Sequence, residues 1–382
     1  MDLVVRPLVL GLLLAGLLAG ARRGPAHADV LYGWGELDPV RYGGMQAREL
    51  PSGRLIGEMP FGGATQGGGF AFSPDPRRAF ALDAEWLPER RALGWRLTEL
   101  ELPSLRVVRR TPVADAIPLL GIQGVVAVAA DGRSVYVETM RIVGPNRFDA
   151  RLGVGQPESA YGVAVYDIAQ GAFVGEVPLA PPWCGVAELH PLPDGRLAVF
   201  CGLAHEVRLI DPMQGKQVAS VGVDGIASAA SSDGRRLWAV DLVGGVHEVD
   251  FGRMAVVRET QLGSDRGDPS VPAQELHATA DGARLFVRAA PGDAELRATG
   301  NGSEVWVVDT ATLRRVAVVP LPAPAFHLAP SPDGRMLVAV TNNVPDRGLF
   351  GTRLLEVPSG REVAGWPGAL AGPRVRRGPP AR

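Results

Sequence analysis

Two cysteines and six histidines are the residues of this chain whose types could do chemistry. Cys184 and Cys201 bracket a Pro-Asp-Gly turn in CGVAELHPLPDGRLAVFC. As metal ligands they are poorly supported, because zinc sites want clustered ligands and only His190 and His205 are near them in sequence. The histidines give no H-x-x-x-H spacing. His190, His277 and His327 each precede an Asp-Gly turn (ELHPLPDG, ELHATADG, FHLAPSPDG). They therefore read as repeat-related structural groups, pointing to a central channel or packing between repeats. There is no G-x-S-x-G elbow and no Walker or Rossmann fingerprint. The glycine-rich GGATQGGG at 62–69 opens no helix and is not a phosphate cradle. Asp167, Asp211, Asp250 and Asp309 start turns, where a carboxylate caps backbone N–H groups. No catalytic, cofactor-binding or metal-ligating residue is assigned; the site residues are the pair Cys184 and Cys201.

The elements that must position that pair are strands. A turn leading into an apolar strand recurs at 73–82, 129–138, 192–201, 231–240, 279–288 and 331–340. Asp-Gly supplies the turn in five of these six, with glycine taking φ > 0; the first has proline in that place. A strand–turn–strand unit recurs at 46–59, 97–110, 163–177, 207–221, 246–259, 305–319 and 352–365, at a mean step of about 51 residues. The two units alternate, which makes four antiparallel strands per repeat, a propeller blade. The expected fold is all-β: a seven-bladed β-propeller of four-stranded antiparallel blades, of the YVTN/WD40-like repeat architecture. A β-sandwich is the alternative. Ring closure is expected to pair Val30–Trp34 with residues after Gly365. Trp238 and Trp306 lie in strands and should be core. The repeat is broken by Arg141–Tyr161, by Gly263–Gln274 and by Pro291–Gly302, stretches expected as loops on a propeller face.

Cys184 and Cys201 then fall on adjacent strands of one blade. A register shift or a bulge in the hairpin would set them opposite, within disulfide range. The expectation is a Cys184–Cys201 disulfide, with two buried free thiols as the alternative. A disulfide needs an oxidising compartment. The apolar run Leu8–Gly20 is short for a membrane span and is followed by Ala26-His27-Ala28, so residues 1–28 read as a secretory signal peptide. The expected organisation is signal peptide 1–28, propeller 29–368 and a flexible Arg/Pro-rich tail 369–382, in a periplasmic protein without a membrane span after cleavage. Lys216 is the only lysine among 39 basic residues, and these are scattered among 41 acids. There is no basic stripe for nucleic acid.

At the cysteine hairpin, GEVPLAPPWCGVAELHPLPDGRLAVFC, the sequence resembles the heavy, β-propeller subunit of quinoprotein amine dehydrogenases of the methylamine dehydrogenase type. WLPERRALGWRLTELELPSLRVVRRTPV (86–113), AELRATGNGSEVWVVDTATLRRVAVVPL (294–321) and the terminal LAGPRVRRGPP are similar to segments of that family. The resemblance covers most of the chain after residue 28. It departs from the family in lacking a long N-terminal arm and in carrying the extra 141–161 stretch. It implies a non-catalytic large subunit of a periplasmic enzyme that oxidatively deaminates primary amines. It also implies a quinone-bearing small subunit holding tryptophan tryptophylquinone, and a blue-copper protein or cytochrome c as electron acceptor. The alternative reading is a free-standing periplasmic YVTN-type propeller that binds or scaffolds a partner.

Overall fold

The computed structural model describes residues 29–35, 44–60, 67–87, 92–113, 125–149, 154–179, 184–202, 204–263, 273–290, 302–344, 348–368 and 370–377. The expected signal peptide lies outside them, as do most of 263–274 and of 291–302. Among the described residues there is no helix, and none is long and apolar enough to cross a membrane. Every regular element is a strand, paired antiparallel with its neighbours.

The first strands are β1 (Asp29–Gly35), β2 (Gly44–Glu49) and β3 (Arg54–Pro60). Next come β4 (Gly67–Phe72), β5 (Arg78–Leu87), β6 (Ala92–Glu101) and β7 (Arg106–Pro112), which form one four-stranded sheet in that order. The strands β8 (Val126–Val128), β9 (Ser134–Asp149), β10 (Val154–Asp167) and β11 (Ala172–Leu179) form another. So do β12 (Val186–Pro191), β13 (Leu197–Cys201), β14 (Glu206–Asp211) and β15 (Lys216–Gly222), and then β16 (Ala227–Ala230), β17 (Arg236–Val240), β18 (Gly245–Asp250) and β19 (Ala255–Gln261). A seven-stranded sheet follows: β20 (Ala273–Ala278), β21 (Arg284–Ala289), β22 (Gly302–Asp309), β23 (Arg314–Pro330), β24 (Met336–Val344), β25 (Gly348–Glu356) and β26 (Glu362–Pro367).

In that wide sheet the first half of β23 pairs with β22, and its last residues, from Ala325 on, pair with β24. One long strand thus ends one four-stranded unit and begins the next. The chain finishes in β27 (Leu370–Arg377), which pairs with β1 and completes the sheet β27-β1-β2-β3. This is the pairing of the two chain ends expected from the repeat. It also corrects the expected flexible tail: Leu370–Arg377 is a strand, because β1 has no other partner on that edge and would leave its backbone groups unpaired.

Side chains alternate between the two faces of each sheet, and the buried apolar ones gather between sheets. Among the described residues there are seven clusters, one for each pair of neighbouring units. The last joins Leu31 and Leu370 to Ala329, Val338 and Leu354, so the end of the chain packs back on its beginning. Trp238 and Trp306 are fully buried in one cluster, as their strand positions implied. The first strands meet in succession: β4 with β8, β8 with β12, β12 with β16, β16 with β20, β20 with β23 and β23 with β27. The architecture is therefore all-β and propeller-like.

Two local rules repeat. In five copies of the inner turn, Gly132, Gly195, Gly234, Gly282 and Gly334 have φ between 66° and 88°. In the outer hairpins one residue of the last strand is skipped by the pairing. These bulged residues are Ile56, Val108, Val174, Val218, Val257, Val316 and Val363. All seven are β-branched. A bulge twists an edge strand away from further pairing, and each of these strands is the outermost of its unit.

The Arg141–Tyr161 stretch, expected as a loop, prolongs the β9–β10 hairpin: Asp149 pairs with Val154, Arg147 with Gln156 and Arg141 with Ala160. Its two strands reach beyond β8 and β11, where among the described residues they pair only with each other. That is why prolines are tolerated there, since one side of each strand needs no N–H donor.

Candidate functional site

Cys184 and Cys201 form the expected disulfide, with Cα atoms 4.7 Å apart. Pairing is symmetric from Pro191↔Leu197 to Glu188↔Phe200, and then a bulge shifts Val186 opposite Cys201. That shift brings Cys184 within reach. Both sulfurs are buried in the cluster between the third and fourth sheets, against Val163, Val177 and Leu189. The bond staples the inner hairpin to the strand entering it and offers no exposed sulfur for exchange.

The polar residues of interest lie on the first strands of the sheets. Counting back from the turn aspartates, Glu188 and Glu275 stand six residues ahead of Asp194 and Asp281, and His190 and His277 four ahead. His327 stands six ahead of Asp333, so it occupies the glutamate place and not the place of the other two histidines. The strand period of two puts both places on one face. The matching places on β8 and β16 hold Val125, Ala127, Ala227 and Ala229. The polar set is thus carried by β12, β20 and the end of β23.

Both glutamates do the same work. Glu188 Oε2 accepts from the backbone N–H of Ser228 on the next sheet at 2.6 Å, and from the Ser228 hydroxyl. Glu275 Oε2 accepts from the backbone N–H of Leu328 on the next unit at 3.0 Å. Ser228 and Leu328 are matching residues, each five ahead of its turn aspartate. First strands of different units are not in one ladder, so their outward N–H groups need such acceptors. The histidines support these carboxylates. His190 Nε2 lies 2.7 Å from Ser228 Oγ and 3.5 Å from Glu188 Oε2. His277 Nε2 lies 2.9 Å from Glu275 Oε1, and Arg288 Nε 3.2 Å from Glu275 Oε2. Arg288 also donates to the Ala325 carbonyl at 3.0 Å. Burial alone would raise the Glu275 carboxyl. The hydrogen bond and charge of His277, with the nearby His327 (Nδ1 3.8 Å from Oε1) and the charge of Arg288, override it and hold the group below the usual carboxylate range.

Ser228, His190 and Glu188 have the residue types of a hydrolase triad but not its geometry. In a triad the carboxylate holds the histidine Nδ1 and leaves the serine proton to Nε2. Here Glu188 takes the serine proton itself and meets the same Nε2 edge. Ser228 is held as a donor and is not activated as a nucleophile.

A second charged group lies on β27. Arg374 and Arg376 alternate on β27 and face β4, with guanidinium carbons 5.9 Å from the Phe70 ring and 5.0 Å from the Phe72 ring. Arg376 donates to the Ser73 carbonyl at 3.0 Å and so clasps the first sheet to the second. Arg374 is exposed to water, yet burial lowers its pKa, opposed by the charges of Glu188 and Glu275.

One acid stands apart. Glu138 on β9 is 4 % exposed, and its Oε2 has no hydrogen-bond partner. Burial pushes it up to about 8, opposed by a hydrogen bond from the Val125 N–H. Nothing in the sequence pattern marked it. It occupies the place that Arg288 holds on β21, seven residues past the turn aspartate.

The turn aspartates behave as read: Asp167, Asp211, Asp250 and Asp309 accept from backbone N–H groups two or three residues on, at 2.7–3.0 Å. Among the described residues no group of three or more His, Cys, Asp or Glu could hold a metal ion. The glycine-rich stretch leads into β4, a strand. No protein-family model matches this chain, and no curated protein matches it.

Proposed function

We propose that this chain is a closed seven-bladed β-propeller, exported to the periplasm, that serves as the non-catalytic large subunit of a quinoprotein amine dehydrogenase. In this reading the four-stranded sheets are blades, the wide sheet is two blades sharing β23, and β27 closes the ring. The blades form a rigid platform, and the tryptophan tryptophylquinone belongs to a small partner subunit that passes electrons to a blue-copper protein or cytochrome c. The observation that carries it is the buried Cys184–Cys201 bond in the inner hairpin, where the sequence resembles the heavy subunits. The test is native purification from the periplasm, with mass spectrometry of copurifying chains and a visible spectrum. A small disulfide-rich partner with a quinone band is the expected result. A colourless single chain would overturn the dehydrogenase assignment.

A second reading is a free-standing binding propeller. It is favoured by the polar groups that β12, β20 and the end of β23 carry at matching places, with Glu188 and Glu275 bonded to the next unit.

A further inference from the structure

One packing interface between neighbouring units is clasped by an arginine, and its counterpart elsewhere in the chain is not. Between the sheet β16–β19 and the unit that follows it, Arg258 reaches across from the outermost strand. It donates to the carbonyls of Thr310 at 2.7 Å and Ala311 at 2.6 Å in the β22–β23 turn, and it pairs with the buried Glu248 beside it. Glu248 also meets Arg236 at 3.5 Å. The sheet β4–β7 repeats this set on the face it turns to β8–β11. Glu99 stands opposite Arg109 in the ladder as Glu248 does opposite Arg258, and Arg78 Nη1 lies 3.4 Å from Glu99 Oε1. Asp167 and Asp309 start the two facing turns, so the matching carbonyls there are those of Ile168 and Ala169.

Arg109 does not take them. It makes no hydrogen bond or ion pair with the described residues, so its guanidinium donors are unspent. Its Nη1 lies against Gly171, where a Cβ would overlap it. The clasped interface has Leu313 at that place, buried in the cluster between the sheets; the glycine leaves the space the guanidinium fills. A second difference adds charge. Arg133 stands where the clasped interface has Ala283, and its ion pair with Asp131 is long, at 4.0 Å, with the arginine side chain 86 % exposed. Between the second and third sheets this leaves a cleft of about 460 Å³, lined among others by Arg78, Arg109, Arg133, Val108 and Ile168.

The acids of the cleft are already occupied. Glu99 faces Arg78, and Asp167 accepts from the Gln170 N–H at 2.7 Å and from its side-chain amide at 3.4 Å. Two guanidiniums thus stand without a close counter-charge, beside Ile168 and the exposed Val108. A guanidinium fork takes carboxylate or phosphate oxygens through parallel hydrogen bonds, and apolar side chains beside it favour a ligand with a carbon body to cover them.

We infer that this cleft binds a small organic anion, with its carboxylate or phosphate head on Arg109 and Arg133 and its carbon body on Val108 and Ile168. The inference rests on the packing of these two sheets and not on the quinone-bearing partner.

Isothermal titration of the full chain in low-salt buffer tests it. Benzoate and phenyl phosphate are the probes, inorganic phosphate is the head alone and benzyl alcohol the body alone. At least one organic anion should bind saturably, and the tighter of the two identifies the head. Each lone part should bind about ten-fold more weakly or worse. Arg109→Gln and Arg133→Ala, the second restoring the residue of the clasped interface, should each weaken binding about ten-fold. Thermal unfolding without ligand is the second readout. Arg109→Gln breaks no bond and should melt with the parent, whereas Arg258→Gln should melt about 2 °C or more lower. Absence of saturable binding by both organic anions, a lone part binding as tightly as the better of them, or binding indifferent to both arginines would each overturn the site. So would an Arg109→Gln chain that loses as much stability as Arg258→Gln, since Arg109 would then clasp its own facing turn and fill the cleft.

Discussion

At the residue scale, the carboxylates fall into two classes set by their surroundings. Glu275 is held ionised by its donors, so its contribution is present above the ordinary carboxylate pKa and is lost as the pH falls below about 4.5. Glu275→Gln should cost about 2–3 kcal/mol at neutral pH and should flatten the acid side of the stability profile, as urea unfolding between pH 3 and pH 7 would measure. Glu138 has the opposite sign. Its folded pKa lies near 8, above the usual 4.5. Between those values the folded state keeps a proton that the unfolded chain has released, so stability falls as the pH rises through that window. Glu138→Gln should therefore be more stable than the parent at pH 8.5, by on the order of 3 kcal/mol, and close to it at pH 4.5. A parent profile that is flat between these pH values would count against the buried protonated acid. The twice-used ELH tripeptide was visible in the sequence, and the histidines drew notice there. The partner of each glutamate is an N–H on another unit, some 40 to 53 residues away, and no local pattern reveals it.

At the element scale, the hairpins were legible because turn chemistry and alternation are local. Asp-Gly placed the inner turns, and the outer strands followed at a regular step. The β-branched residue in each outer strand was legible as strand propensity, but its role as the bulge needed the pairing register. Val218 is 43 % exposed. Val218→Thr should change stability by less than about 0.5 kcal/mol. Deleting Val218 shifts Lys216 and Gln217 by one place and reverses their faces; it should cost about 2 kcal/mol or more, read by thermal unfolding. The disulfide also acts at this scale. It closes a loop with a sequence separation of 17, so replacing both cysteines with serine should cost about 3 kcal/mol and preserve the β-sheet circular dichroism. Because the bond is buried, thiol reagents should react only under denaturing conditions. Rapid reduction of the native chain would contradict its placement.

At the scale of the molecule, stability depends on the pairing of the two chain ends. β27 supplies the partner of β1, the Leu370 contact with the last unit and the Arg376 clasp on the second sheet. Truncation after Gly368 should leave β1 as an open edge and give an aggregating or partly unfolded chain by size exclusion and proteolysis. Truncation after Arg377 should behave as the parent. A folded monomer from the shorter chain would show that closure is dispensable. By itself the sequence determined the strands, their turns, the repeat and the hairpin that holds both cysteines. Each of these follows from neighbours within one repeat, where chain geometry alone brings the residues together. The tertiary structure decided that the 141–161 stretch extends a hairpin, that the supposed tail is a strand, and that Glu188 and Glu275 bond to backbone groups of the next unit. Those outcomes depend on which distant strands meet, and packing between sheets settles that.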